Sequence, residues 1–313
     1  MLTSIEKMLR REFLAGLAAT PLLTAAKSHI DRGRISFITD EAAANPADAI
    51  AFAKKYSLRW VELRDVPGGG GHYMRQSDEK LKEAAKQFQD SGIKVSFFNT
   101  PMFKITLPGT EPLSAKREQT ADAREKRIAK HKADFDRRKE DFQQAFRAAH
   151  ILGTDKIRVF TFLRTAEPDK LHQQIADVIG EMGEMAAKEK IKLLVENESA
   201  CNVVSCAEVA RFMKLLPEKT VGINWDPLNG TSQNELPYPD GYKLLPIKRV
   251  WNVQAKGHSL LAPDKKLDWP GIFTSLDRYG YKGEVGLETH YFDGTKIEKS
   301  HASMVEIFRI LES

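Results

Sequence analysis

The sequence predicts an α/β protein: a (β/α)8 TIM barrel in a single domain that follows an amino-terminal export signal. Three observations predict it. From residue 34 onward, short β-branched or aromatic runs alternate eight times with segments of helical periodicity. Several of those runs are apolar on nearly every residue, as in strands covered on both faces. The length of 313 residues suits one barrel of roughly 250 residues with additions.

The expected strands cover 34–39, 60–64, 94–99, 157–162, 191–197, 221–225, 249–255 and 284–288. Helix punctuation lies between them. Asn45-Pro46 is an N-cap followed by proline at the first helical position. Ser205 with Glu208 three residues later is a capping box, and Val209, Phe212, Met213 and Leu216 then repeat at helical spacing. Ile272, Phe273 and Leu276 form an apolar stripe that stops at Gly280, and Met304, Ile307, Phe308 and Leu311 form the last one. Eight such units with right-handed crossovers close most simply into a barrel. An open doubly wound sheet is the competitor, but no Gly-x-Gly-x-x-Gly turn follows a strand. Gly68 to Gly71 reads as a mobile flap after the second strand. Residues 114–152 read as one long helix dense in mixed charge, a solvated face with i,i+4 pairs. Trp60, Trp225 and Trp251 lie in strands and read as core.

Composition narrows the class. With 42% hydrophobic and 29% charged residues the chain is neither rod nor disordered polymer. Two cysteines are too few for a disulfide scaffold or a cysteine-built zinc site, and Cys201 and Cys206, flanking a helix start, read as free thiols. A net charge of +5 is no nucleic-acid signature, and no nucleic-acid partner is expected. At the amino terminus, Arg10-Arg11-Glu12-Phe13-Leu14 precedes an apolar run of about half the length a membrane-spanning helix needs. Residues 1–26 therefore read as an export signal resembling the twin-arginine type, and residues 33–313 as the barrel. The expected location is periplasmic or secreted, with no stable membrane association after processing. The alternative is a cytoplasmic protein whose first residues lie on the barrel as an amphipathic helix.

Function in this architecture sits at the carboxyl ends of the strands. The last four strands each end in a side chain able to hold a metal: Glu196, Asp226, Gln254 and Glu288, spaced by 30, 28 and 34 residues, one βα unit each. Three carboxylates and an amide on one rim would repel without a cation. Four oxygen donors suit a hard divalent ion, Mg²⁺ or Mn²⁺, better than zinc or copper. Period-two alternation sets Glu198 beside Glu196, Lys256 beside Gln254 and His290 beside Glu288, each a step nearer the mouth. Glu62, Arg64, Asn99 and Arg158 occupy strand ends of the first half, and His258 a nearby loop. All eight are candidates for holding substrate, and each is equally readable as a structural polar group. His72 is a weaker loop candidate.

The runs Leu194-Val195-Glu196-Asn197, Asn224-Trp225-Asp226-Pro227-Leu228-Asn229, Asn252-Val253-Gln254-Ala255-Lys256 and Gly280-Tyr281-Lys282-Gly283-Glu284-Val285-Gly286-Leu287-Glu288-Thr289-His290 resemble the xylose-isomerase-like TIM-barrel family. That group includes sugar phosphate isomerases and epimerases and hydroxypyruvate isomerase. The resemblance implies metal ligands at Glu196, Asp226, the seventh-strand position and Glu288. Most members carry histidine at that third position; here it is Gln254, as in the hydroxypyruvate isomerase branch. It also implies that Glu196 and Glu288 move the proton. The expected activity is thus a divalent-metal-dependent isomerase or epimerase acting through an enediolate on a small sugar or hydroxy-keto acid. A lyase or dehydratase on an oxidised sugar or polyol is one alternative, and a non-catalytic secreted carbohydrate-binding barrel is another. Members of the family often pair, which leaves a homodimer open.

Overall fold

The computed structural model describes residues 30–117, 120–264 and 267–313; the export-signal reading of residues 1–26 lies outside them. Eight parallel strands form the barrel wall: β1 (Ile35–Phe37), β2 (Trp60–Leu63), β3 (Lys94–Phe98), β4 (Lys156–Val159), β5 (Lys192–Glu196), β6 (Val221–Trp225), β7 (Val250–Lys256) and β8 (Glu284–Glu288). Each pairs with its neighbours in chain order, β1 returns to β8, and a single parallel bridge from Ile38 to Glu62 joins β1 to β2. The chain is a TIM barrel. No described helix is long and apolar enough to cross a membrane.

Helices cover the outside because their apolar stripes need a partner. Ile272, Phe273 and Leu276 of helix Trp269–Tyr279 are buried, and Gly280 ends that helix in a left-handed conformation that favours glycine. The capping box at Ser205 and Glu208 is formed, starting helix Cys206–Met213. Met304, Ile307 and Phe308 of helix Lys296–Leu311 are buried, and that helix packs against the turn Thr39–Ala42 and against β8.

Three expectations need correction. The 114–152 segment is two helices, Ala121–Asp136 and Arg138–Leu152, joined at Arg137, where ψ rises to 6° and the α-helical path breaks. The first carries no buried residue and is lined with i,i+4 pairs such as Lys130–Asp134 and Lys132–Asp136, whereas the second buries Phe142, Phe146 and Leu152 against the barrel. The fourth strand stops at Val159 rather than continuing to Phe162, whose φ of +57° turns the chain. Trp251 is only partly buried. The register of β6 against β7 slips by one residue there, and the bulge turns the indole outward. It lies over Gly222, where any Cβ would overlap the ring. Trp60 is likewise partly buried, whereas Trp225 is wholly enclosed.

The same bulge positions chemistry. Beyond Trp251, the period of two sends Asn252, Gln254 and Lys256 into the lumen, all of them buried, while Val253 and Ala255 face the helices. A second register shift, between Val61 and Glu62 of β2 and their β3 partners, aims Glu62 at the barrel axis. There its carboxylate lies against Gly286 of β8, a position where a Cβ would overlap it. The glycine run at 68–71, expected as a flap, is a turn closed by Val66 N–H to Gly71 O at 2.9 Å.

Candidate active site

Three carboxylates converge at the carboxyl end of the barrel. One oxygen each of Glu196, Asp226 and Glu288 lies within 4.8 Å of the others, and all three residues are buried. Each is held on its second side. Glu196 Oε2 accepts from Asn224 Nδ2 at 2.5 Å and from the Arg158 guanidinium at 3.2 Å. Asp226 Oδ1 accepts the amides of Leu228 and Asn229, capping the helical turn Pro227–Gly230. Glu288 Oε1 faces Arg64 at 3.5 Å and His290 Nδ1 at 3.6 Å.

The inward-facing oxygens are different. Glu288 Oε2 and Gln254 Oε1 accept no hydrogen bond, and Asp226 Oδ2 meets only the Lys256 ammonium at 2.7 Å, off the line of an aligned bond. Buried acceptors without donors are uncommon in native proteins, and each calls for a missing partner. Here three of them come from three of the four positions expected as ligands. An all-oxygen set of this kind fits a hard divalent cation.

Gln254 is fixed from below. Its Nε2 donates to Glu62 Oε2 at 2.6 Å, which leaves the carbonyl oxygen as the free end. Glu62 is fully buried beneath the rim and takes four donors: Ser36 Oγ, Asn99 Nδ2, Asn252 Nδ2 and Gln254 Nε2. It therefore braces the ring of expected ligands from the layer beneath them, where the sequence reading had it among the groups meeting substrate. Asn99 stands beside it: its side-chain amide donates to Glu62 and its backbone carbonyl faces Arg158 and His72, while its Oδ1 is buried without a donor. A chain of amides links the two acids, with Asn252 donating to Glu62 and to Asn224, and Asn224 donating to Glu196.

Burial and charge set the ionisation. Burial pushes the Glu196 carboxyl up to about 7, with the Glu288 and Glu198 charges adding to it and Arg158 opposing. Burial acts on Glu288 in the same direction, but Lys256, His290, Arg64 and Arg158 outweigh it and hold that group well below the usual range. Asp226 is raised by burial against the pull of Lys256. Burial would lower the Lys256 ammonium, yet Asp226, Glu288, Glu198 and Glu196 raise it, so it stays charged.

Nearer the mouth, Glu198 pairs with Lys104 at 3.2 Å and is held below its ordinary value by Lys256 and Lys104 in spite of burial. His290 is partly exposed, with a φ of +56° that aims its amide at Glu41 Oε2. His258 stands further out, against Asp264 and stacked on Tyr291 at 3.9 Å. Sequence reasoning passed over Asp40 and Glu41, which clamp Arg64 at 2.6 and 2.9 Å, and Asn229, which accepts from Lys256 at 2.9 Å. The first two directly follow the first strand, so the strand-end rule reaches them. Cys201 and Cys206 are free and buried. A cleft of about 650 Å³ lined by Trp60, Lys94, Lys156 and Glu284 lies at the amino ends of the strands, away from these groups.

The chain matches the family described as "Xylose isomerase-like TIM barrel" over residues 50–311, and it belongs to that family. Comparison with curated proteins gives no match. Among solved structures, it is similar to the probable 3-DHS dehydratase AsbF of Bacillus anthracis, at 15% identity over 88% of this chain and 98% of that one, TM-score 0.65. It is also similar to the 3-keto-D-glucoside 4-epimerase YcjR of E. coli, at 13% identity over 90% and 100%, TM-score 0.63. A third is the IOLI protein with a binding zinc atom, at 14% identity over 89% and 98%, TM-score 0.60.

Proposed function

We propose that the protein is a divalent-metal-dependent isomerase or epimerase of a small sugar or hydroxy-keto acid, exported by a twin-arginine signal. The single observation that carries this reading is the set of inward oxygens beside Glu196: Gln254 Oε1 and Glu288 Oε2, which accept no hydrogen bond, and Asp226 Oδ2, which meets only the Lys256 ammonium. Those four residues would hold Mg²⁺ or Mn²⁺. When bound, such an ion polarises a substrate carbonyl and so acidifies the neighbouring C–H. Family likeness supports an isomerase or epimerase, and the solved structures that resemble the chain include an epimerase and a dehydratase.

The chain's own residues then move the proton. Glu288 and Glu196 form the acid/base pair, one accepting the proton from carbon and the other returning one at the adjacent position. In the reverse direction the roles exchange. Arg158 and Asn224 fix the Glu196 carboxyl, while Arg64 and His290 stand beside Glu288. Lys256, Glu198 and His258 line the approach as donors and acceptors for substrate hydroxyls.

NMR in D₂O with a panel of aldoses, ketoses and 3-keto sugars, on protein loaded with Mn²⁺ or Mg²⁺, tests the reading. Exchange of a carbon-bound proton with solvent is expected, falling about 10²–10⁴-fold in Glu196→Gln and in Glu288→Gln. If neither substitution slows turnover of any accepted substrate, the acid/base assignment is wrong. The presence of a third acid, Glu198, one step nearer the mouth favours a second reading, loss of a β-hydroxyl. A product lighter by one water identifies it.

A further inference from the structure

Lys256 occupies the space that the ligand set encloses. Its ammonium is buried, 2.7 Å from Asp226 Oδ2, 2.9 Å from Asn229 Oδ1 and 3.7 Å from Glu288 Oε2. Asp226 Oδ2 and Glu288 Oε2 are two of the oxygens that a divalent ion would need at about 2.0–2.2 Å. A carboxylate oxygen has lone pairs enough for both cations, but two like charges held among the same oxygens repel strongly where water is scarce. We infer that Lys256 is the resident cation of the metal-free site, and that its side chain must swing off Asp226 before a divalent ion binds, so that it gates metal occupancy.

A destination for the ammonium is at hand. Glu198 stands one step nearer the mouth, partly buried, and its charge already acts on Lys256. Its present partner is Lys104, itself 41% exposed and free to return to water. The lysine backbone is anchored: its carbonyl accepts Ser259 Oγ at 2.6 Å. The move therefore falls to the four-carbon stem, which is flexible. The ammonium yields the ligand oxygens to the ion, and the withdrawal of Lys104 offsets part of the added positive charge.

The inference rests on the metal-dependent reading, and the test separates the two. Calorimetric titration of the metal-stripped full-length protein with Mn²⁺ at neutral pH gives the dissociation constant without reference to turnover. In Lys256→Gln, which keeps a donor for Asn229, Mn²⁺ is expected to bind at least about tenfold tighter, roughly 1.4 kcal/mol. In Glu198→Gln, where the displaced ammonium loses its receiving anion, binding weakens several-fold, and that loss disappears in the double variant. On the unaltered protein, the ¹⁵N resonance of the Lys256 ammonium should shift on addition of diamagnetic Mg²⁺, so the outcome does not depend on a variant folding. If the parent binds Mn²⁺ and Lys256→Gln binds it equally or less well, the gate is overturned and the metal reading stands. If neither binds Mn²⁺, Mg²⁺ or Zn²⁺, both fall.

Discussion

The two halves of the barrel rim treat their carboxylates in opposite ways. On the side of β1 to β4, every carboxylate oxygen at the strand ends has a donor. Glu62 takes four, Asp40 receives Arg64 and the Asp65 amide, and Glu41 receives Arg64 and the His290 amide. On the side of β5 to β8, Glu288 Oε2 accepts no hydrogen bond and Asp226 Oδ2 meets only the Lys256 ammonium. Glu62 and Glu41 are as buried as Asp226 and Glu288, so solvent does not account for the contrast. A buried polar group left unpaired costs about 1–3 kcal/mol, and more when charged. The carboxylates of Glu62, Asp40 and Glu41 are satisfied as folded, although Thr39 Oγ1 and Asn99 Oδ1 on the same side lack partners. Those of the second half are complete only with something bound.

The largest test of that contrast is aimed at the finished half. Glu62→Ala strands four buried donors at once, and the side chain shares the lumen with Gly286, leaving nothing to take its place. A loss of roughly 4 kcal/mol in urea unfolding is expected. Glu62→Gln, which keeps an acceptor but adds donors that clash with Asn99 or Gln254, should lose about half as much. It should also weaken Mn²⁺ binding, because Gln254 then turns its carbonyl down. Unchanged stability in both variants would make Glu62 a bystander.

A smaller effect probes the unfinished half. Addition of Mn²⁺ at about 100 times its dissociation constant should stabilise the protein by roughly 2.7 kcal/mol, read as a rise in Tm. Asp226→Asn should abolish the rise. Arg75→Ala, which removes an ion pair to Asp141 between loop and helix, should leave it intact. A rise that survives Asp226→Asn places the ion elsewhere.

How much of this the sequence exposed follows from what each feature depends on. Strand identity is local, and the β-branched runs and helix caps located all eight strands to within a few residues. The ring of Glu196, Asp226, Gln254 and Glu288 was legible because one βα unit separates each from the next, which sets them at one height. What was hidden is depth and side-chain reach. Whether Glu62 meets substrate or braces Gln254 depends on a register shift in β2 and on a glycine across the lumen, neither of which is a local signal. The outward turn of Trp251 follows from a second slip of the same kind. That the Lys256 ammonium rests on Asp226 is decided by the length of a flexible stem, about which period-two alternation is silent. The break at Arg137 was masked by uniform helix propensity on either side of it.

Glu208 supplies the control, since it belongs to the β5–β8 half yet is satisfied throughout. Its carboxylate accepts the amides of Val204 and Ser205 and pairs with Arg164 at 2.8 Å. Burial raises its pKa, but Arg164 and those amides prevail and hold it below the ordinary value. A carboxyl depressed in the folded state stabilises the protein above its unfolded pKa and loses that contribution as pH falls through the folded one. Glu208→Gln should therefore cost about 1–2 kcal/mol at pH 7, the usual worth of a cap with a charged partner. The gap between parent and variant should narrow as pH drops below about 4.3 and close once the folded-state carboxyl is protonated. Neither value should respond to Mn²⁺ beyond the shift common to both proteins. A gap that persists in acid would mean the side chain acts through packing rather than charge, and one that widens with Mn²⁺ would tie this cap to the metal-binding oxygens.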